Sequence, residues 1–99
     1  MKMRKKFEIN PNEPVYMISV AARLVGLHEQ TLRLYEKRGL VVPKRTKKNT
    51  RLYSMNDLKK LVLIKFLTQQ KGLNLNGVKL FLEYTQDIDK ALEQLELEG

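Results

Sequence analysis

Cysteine and tryptophan are missing from this 99-residue chain, and histidine occurs once, as His28. Without cysteine there can be no disulfide and no thiolate metal site, which suits a reducing compartment. A single histidine would leave zinc dependent on carboxylates, a poor donor set. No apolar run is long enough to cross a bilayer. Lys2, Arg4, Lys5 and Lys6 crowd the N-terminus, but no apolar stretch follows, so a signal peptide is not expected. Glycine-rich phosphate loops and an HExxH helix are also absent, and the carboxylates gather around no recognisable apolar pocket. The reading is of a soluble, cytoplasmic protein with no membrane partner, no cofactor, no metal and no enzymatic activity. Its length suits one domain with a lean core.

Positive charge is abundant. Lys and Arg number 19 against 11 Asp and Glu, a net charge of +8. The excess is lopsided: residues 1–53 hold 13 basic and 4 acidic side chains, whereas residues 54–99 hold 6 and 7. A merely soluble basic protein has no reason for that asymmetry. A surface that meets a polyanion does.

Residues 1–14 read as a flexible basic arm, with turn and extended signals at Asn10-Pro11-Asn12 and Pro14. A short apolar helix is expected over 20–25, with Ser19 as N-cap and Gly26 as the stop. A second follows over 29–38, with Leu32 and Tyr35 on one face and Gly39 at its end. Two helices around a tight glycine turn make a helix-turn-helix pattern. Extended pieces at 41–43 and 51–53 flank the basic stretch 44–50, which suggests a two-stranded hairpin, a wing, with Pro43 suited to an edge. Ser54 to Asp57 has the signature of a helix start, and a broadly apolar helix should run over 55–70. Asn74 can cap a helix over 75–84. Ile88, Ala91, Leu92 and Leu95 fall at helical spacing in a last segment. The expected fold is mainly α: a winged helix-turn-helix domain over 15–85 and a short C-terminal helix over 86–99.

The second helix carries the most chemistry. With Leu32 and the Tyr35 ring assigned to the core, Gln30, Thr31, Arg33, Leu34 and Lys37 remain exposed. Gln suits adenine, Arg suits guanine, and Thr or Leu can meet a thymine methyl in the major groove. In the hairpin, Lys44, Arg45, Lys47, Lys48 and Arg51 can follow a phosphate backbone or enter a minor groove. Tyr53 can place its hydroxyl on a phosphate while its ring packs below. His28 could cap the recognition helix or reach a base or phosphate. The expected DNA-facing set is Ser19, His28, Gln30, Thr31, Arg33, Tyr35, Lys37, Lys44, Arg45, Arg51 and Tyr53. The stripe Ile88, Leu92 and Leu95 could cross a two-fold axis or cover its own domain, and the former is the expectation.

Fixed residues in a fixed order extend this reading. Ile18-Ser19-Val20-Ala21-Ala22 with Gly26, then Gln30-Thr31-Leu32-Arg33, Tyr35-Glu36, Gly39-Leu40, Arg51 with Tyr53, and Asp57-Leu58 resemble the MerR family of bacterial transcription regulators over roughly residues 15–85. Pro14 to Ala22, Gly26-Leu27-His28 with Gln30 to Arg33, and Gly72 to Leu75 with Gly77-Val78-Lys79 are similar to its heat-shock repressors, the HspR group. The resemblance implies a homodimer on an inverted-repeat operator, helix two in the major groove and the wing on flanking backbone. For the HspR group it implies repression of chaperone genes, with the chaperone DnaK as co-repressor, and hence a nucleoid-associated location. The chain departs from the family in its short tail, which leaves less than two heptads for a dimer coil and none for a drug-binding domain. Other readings stay open: a nitrogen-control repressor of the GlnR type, an excisionase-like architectural protein, or an adaptor whose basic face meets an acidic protein.

Overall fold

A computed structural model of the chain describes residues 10–98, with side-chain surroundings through residue 95. Five helices surround a small antiparallel sheet among these residues. In chain order they are β1 (Tyr16–Met17), α1 (Ile18–Val25), α2 (Glu29–Lys37), β2 (Lys44–Arg45), β3 (Arg51–Tyr53), α3 (Met55–Gln69), α4 (Leu75–Tyr84) and α5 (Ile88–Glu98).

The first helix starts two residues before its expected position. Met17 stands at the N-cap without a side-chain bond, and Ser19 lies exposed inside the first turn, so Ser19 is not the cap. The cause is the strand that precedes it. Tyr16 and Met17 pair with Tyr53 and Leu52, so the chain passes from sheet to helix without a loop. Ile18 then packs against the core, and tertiary burial outweighs a missing cap.

Both helices of the pair close in the same way. Gly26 and Gly39 take φ values of 72° and 75°, the left-handed conformation that glycine adopts without a Cβ penalty. After each glycine a leucine turns back: Leu27 N–H donates to the Ala22 carbonyl at 3.0 Å, and Leu40 N–H to the Tyr35 carbonyl at 2.9 Å. These are Schellman closures, in which an orphan carbonyl finds a donor as an apolar side chain returns to the core. Leu40 is buried and Leu27 packs at the core's edge.

The sheet has three strands, in the order β1-β3-β2, with Lys44 opposite Leu52 and Arg45 opposite Arg51. The hairpin's first strand begins at Lys44 rather than near Val41. Pro43 has no N–H for the ladder, and Val41 and Pro43 are buried instead. A Thr46–Thr50 bond of 2.9 Å and Asn49 with φ 67° shape the tip. The third strand, β1, was not expected.

Helix α3 is the centre of the domain. Ser54 Oγ accepts from Asp57 N–H at 3.1 Å, and Asp57 Oδ2 accepts from Ser54 N–H at 2.9 Å, a complete capping box. Leu58, Leu61, Leu63, Ile64 and Leu67 are buried on several sides of it. Asn74 Oδ1 accepts from Gly77 N–H at 2.8 Å and caps α4. Helix α5 packs along α3, with Ile88, Ala91, Leu92 and Leu95 against the same core, and Lys59 pairs with Asp89 at 2.9 Å.

The expected flexible arm falls outside the described residues up to position 9. Residues 10–14, its remainder, are tied down. Asn56 N–H donates to the Pro11 carbonyl at 2.9 Å, Asn56 Nδ2 donates to Asn12 Oδ1 at 2.6 Å, and Val15 N–H reaches the Tyr53 carbonyl at 3.1 Å. The first turn of α3 has backbone donors to spare, and this segment satisfies one of them.

Candidate nucleic-acid interface

Leu32 and Tyr35 anchor α2 by burial, at 0% and 5% exposure. Helical periodicity then turns Gln30, Arg33, Leu34 and Lys37 outward together. Gln30 and Lys37 are exposed, Thr31 is half-buried, and Leu34 is open for an apolar side chain. Arg33 leans on Glu29 one turn back at 3.4 Å, a long and half-exposed contact that leaves its guanidinium accessible. His28 occupies the N-cap position of α2, exposed and without a side-chain cap bond. Its carbonyl accepts from Thr31 and Leu32. Tyr35 belongs to the core rather than to the outward face.

The wing stands beside this face because β3 pairs with β1 and buries Tyr53 in the core, and charge then ties both wing strands to α2. Glu36 projects from α2 between the two strands. Its Oε1 accepts from Arg51 Nε at 2.6 Å, and its Oε2 accepts from Arg45 Nη2 at 3.0 Å. Burial alone would raise the Glu36 pKa. Hydrogen bonds from Arg51 and then Arg45, with their positive charges, outweigh it and hold the carboxyl below its usual value. Lys44, Lys47 and Lys48 are exposed along the hairpin.

Tyr53 requires a correction. Its side chain is fully buried, and its hydroxyl has no partner among the described residues. It cannot rest on a phosphate in this conformation. Arg51 and Tyr53 are two residues apart on one strand, so they share a face. That face turns toward the helices, where Arg51 meets Glu36 and Tyr53 enters the core. Burial first, and the Glu36 charge second, push the Tyr53 pKa up. The stripe Ile88, Leu92 and Leu95 lies partly buried against its own domain.

Glu36 was not among the expected site residues. One signal marks it: between residues 30 and 56 it is the only acidic side chain, among eight basic ones. Among the described residues, no three His, Asp or Glu side chains converge as a metal site, and no helix is long and apolar enough to cross a membrane.

Two helices about a glycine turn, an outward polar face on the second, and a basic hairpin pinned beside it form a winged helix-turn-helix, the architecture of DNA-binding transcription regulators. The chain belongs to the MerR HTH family of regulatory proteins, whose family model matches residues 16–85. It is 44% identical over 87 residues to a Streptomyces coelicolor protein described as heat shock protein HspR, covering 88% of this chain and 58% of that one. It is 40% identical over 80 residues to the transcriptional regulator GlnR of Bacillus anthracis, covering 81% and 61%. Among solved structures it resembles HiNmlR, a MerR family regulator lacking the sensor domain and bound to promoter DNA. That match has a TM-score of 0.65 at 34% identity, over 83% of this chain and 63% of the other. A MerR family regulator from Bacillus cereus matches with a TM-score of 0.56 at 26% identity, over 83% and 62%. The chain thus spans less than two thirds of the length of each of these relatives.

Proposed function

We propose that this protein is a sequence-specific repressor that binds an inverted-repeat operator as a homodimer and controls heat-shock and chaperone genes. The observation that carries the DNA reading is the outward face of Gln30, Arg33, Leu34 and Lys37 beside a basic wing whose Arg45 and Arg51 are tied to the same helix by Glu36. In this reading α2 enters the major groove, with Arg33 and Gln30 toward base edges. Lys44, Arg51 and the hairpin lysines take the flanking phosphates. The relative described as HspR supports the choice of target genes, and the resemblance to that group carries the proposal of DnaK as co-repressor. The two-fold contact is proposed on Ile88, Leu92 and Leu95, which their own domain covers only in part.

The likeness to GlnR supports a second reading, control of nitrogen-assimilation genes through the same DNA-binding surface. Selection of bound sequences from random duplex DNA tests both. An enriched inverted repeat is the expected result, and its occurrence upstream of chaperone genes or of nitrogen-assimilation genes separates the two. With about 6 to 10 phosphate contacts, affinity falls by roughly 10³ to 10⁵ between 50 and 200 mM salt. A flat salt response, with no enriched sequence, overturns the DNA reading and leaves the adaptor.

A further inference from the structure

The hairpin register sets Arg45 directly opposite Arg51. Like charges facing each other across a ladder oppose its formation. Glu36 removes the conflict from outside the sheet, since one carboxylate accepts from both guanidinium groups. The two arginines are not used alike. Arg45 is committed at both ends: Nη2 goes to Glu36, while Nη1 donates to the Asn49 carbonyl at 3.1 Å, at the wing tip where the backbone turns left-handed. Arg51 gives Glu36 only its Nε, and its two terminal nitrogens meet no partner among the described residues. A planar guanidinium fixed at Nε presents the remaining donors in one orientation, a geometry that matches a phosphate.

We infer that Glu36 is a positioning residue that makes Arg45 a brace of the wing and Arg51 its preset phosphate fork, and so sets the margin between specific and non-specific duplex binding. The inference rests on the DNA-binding reading above. Without the Glu36 charge, both arginines become available to any phosphate. The Arg45 and Arg51 side chains also lose their fixed place relative to Gln30 and Arg33. Non-specific binding is thereby favoured while operator binding is weakened.

The test uses the full chain with two duplexes, the selected inverted repeat and a scrambled sequence of equal length, titrated between 50 and 200 mM salt. Glu36→Gln lowers operator affinity about tenfold, the equivalent of one modest charge-assisted hydrogen bond. Its affinity for the scrambled duplex stays level or rises. Glu36→Asp keeps the charge but is one methylene shorter. It loses part of the operator affinity and leaves the scrambled duplex at the parent value. Arg45→Ala leaves the salt slope unchanged, whereas Arg51→Ala lowers its magnitude by about 0.9, the contribution of one phosphate. Thermal melts establish that each variant is folded. A DNA-free measurement accompanies these: in the free protein, the Arg51 Nε–H resonance exchanges slowly with water, and Glu36→Gln speeds its exchange. Equal loss on both duplexes by a folded Glu36→Gln variant overturns the inference. So does an Arg45→Ala slope that falls as far as that of Arg51→Ala, or an Arg51 Nε–H indifferent to Glu36. Failure of the parent protein to bind either duplex counts instead against the DNA reading, and the exchange measurement still decides the clamp.

Discussion

Between α2 and the wing, the joining contacts are ionic. Arg45, Glu36 and Arg51 meet at 3.0 and 2.6 Å, with side chains between 22% and 35% exposed. Between α3 and the helices around it, the contacts are mainly apolar: Leu61, Leu63, Ile64 and Val78 are wholly withdrawn from water, and the polar ties of Lys59 and Lys65 lie at the margins. Apolar burial is non-directional and gives most of a domain's stability. A charge-assisted hydrogen bond fixes distance and angle. Apolar packing, to which Ala21, Leu32, Val41 and Tyr53 of the first half contribute along with α3, therefore keeps the protein folded, while the ionic contacts fix where a few side chains stand.

The sharpest way to break this comparison is to damage each side alone. Leu61→Ala, at a fully buried position of α3, costs about 2–5 kcal/mol of stability. Operator affinity per folded molecule stays unchanged, which denaturant unfolding and a titration on the same sample will show. Leu92→Asp combined with Leu95→Asp is expected to lower the Tm by several degrees, about 4–8 °C for each kcal/mol lost in a domain of this size, because α5 covers the α3 core. Sedimentation equilibrium then tests the proposed two-fold role: the variant is expected to be a monomer that loses cooperative binding to the full repeat. An unchanged dimer assigns the stripe to its own domain alone.

On the ionic side, Arg33→Ala is expected to cost about 1–3 kcal/mol of operator binding and to relax preference at one base position, with an unchanged melt. Retention of the parent's full sequence profile would remove Arg33 from base reading. Tyr53→Phe has the smallest expected effect. It deletes a buried hydroxyl that has no partner, so stability holds or rises by about 1 kcal/mol. DNA affinity stays the same, whereas a phosphate contact through that hydroxyl would have cost affinity.

What the sequence disclosed, and what it hid, follows the reach of each interaction. Gly26, Gly39, the Ser54–Asp57 box and Asn74 act within a few residues of themselves, so their roles are readable in a local window. The outward face of α2 is equally local, because two buried positions and a known period fix the rest. The strand β1 has only two residues, too few for any alternation to register. Ser19 carries a capping preference that a neighbouring strand overrules. Alternation shows that Arg51 and Tyr53 share a side, but not how deeply that side is buried: the Tyr53 ring packs as expected, and the hydroxyl expected on a phosphate is buried with it. Glu36 reaches residues nine and fifteen positions away, so its part depends on how the wing folds back. Only its isolation among basic neighbours hinted at it.

The turn between α1 and α2 is also held from a third direction. Lys65 of α3 donates to the Val25 carbonyl at 3.2 Å, and a Cβ on Gly26 would stand 2.8 Å from its Nζ. A cation at the end of α1 also complements the partial negative charge of the terminal carbonyls. The consequence concerns time rather than strength. A turn closed by its own backbone and latched by the central helix needs no rearrangement before α2 meets a groove, and association slows where binding must wait for a conformational change. Encounters should then be timed by diffusion and by the salt-screened attraction of the basic half, with Lys65→Met slowing arrival at a duplex even at high salt, where the one positive charge it removes is screened.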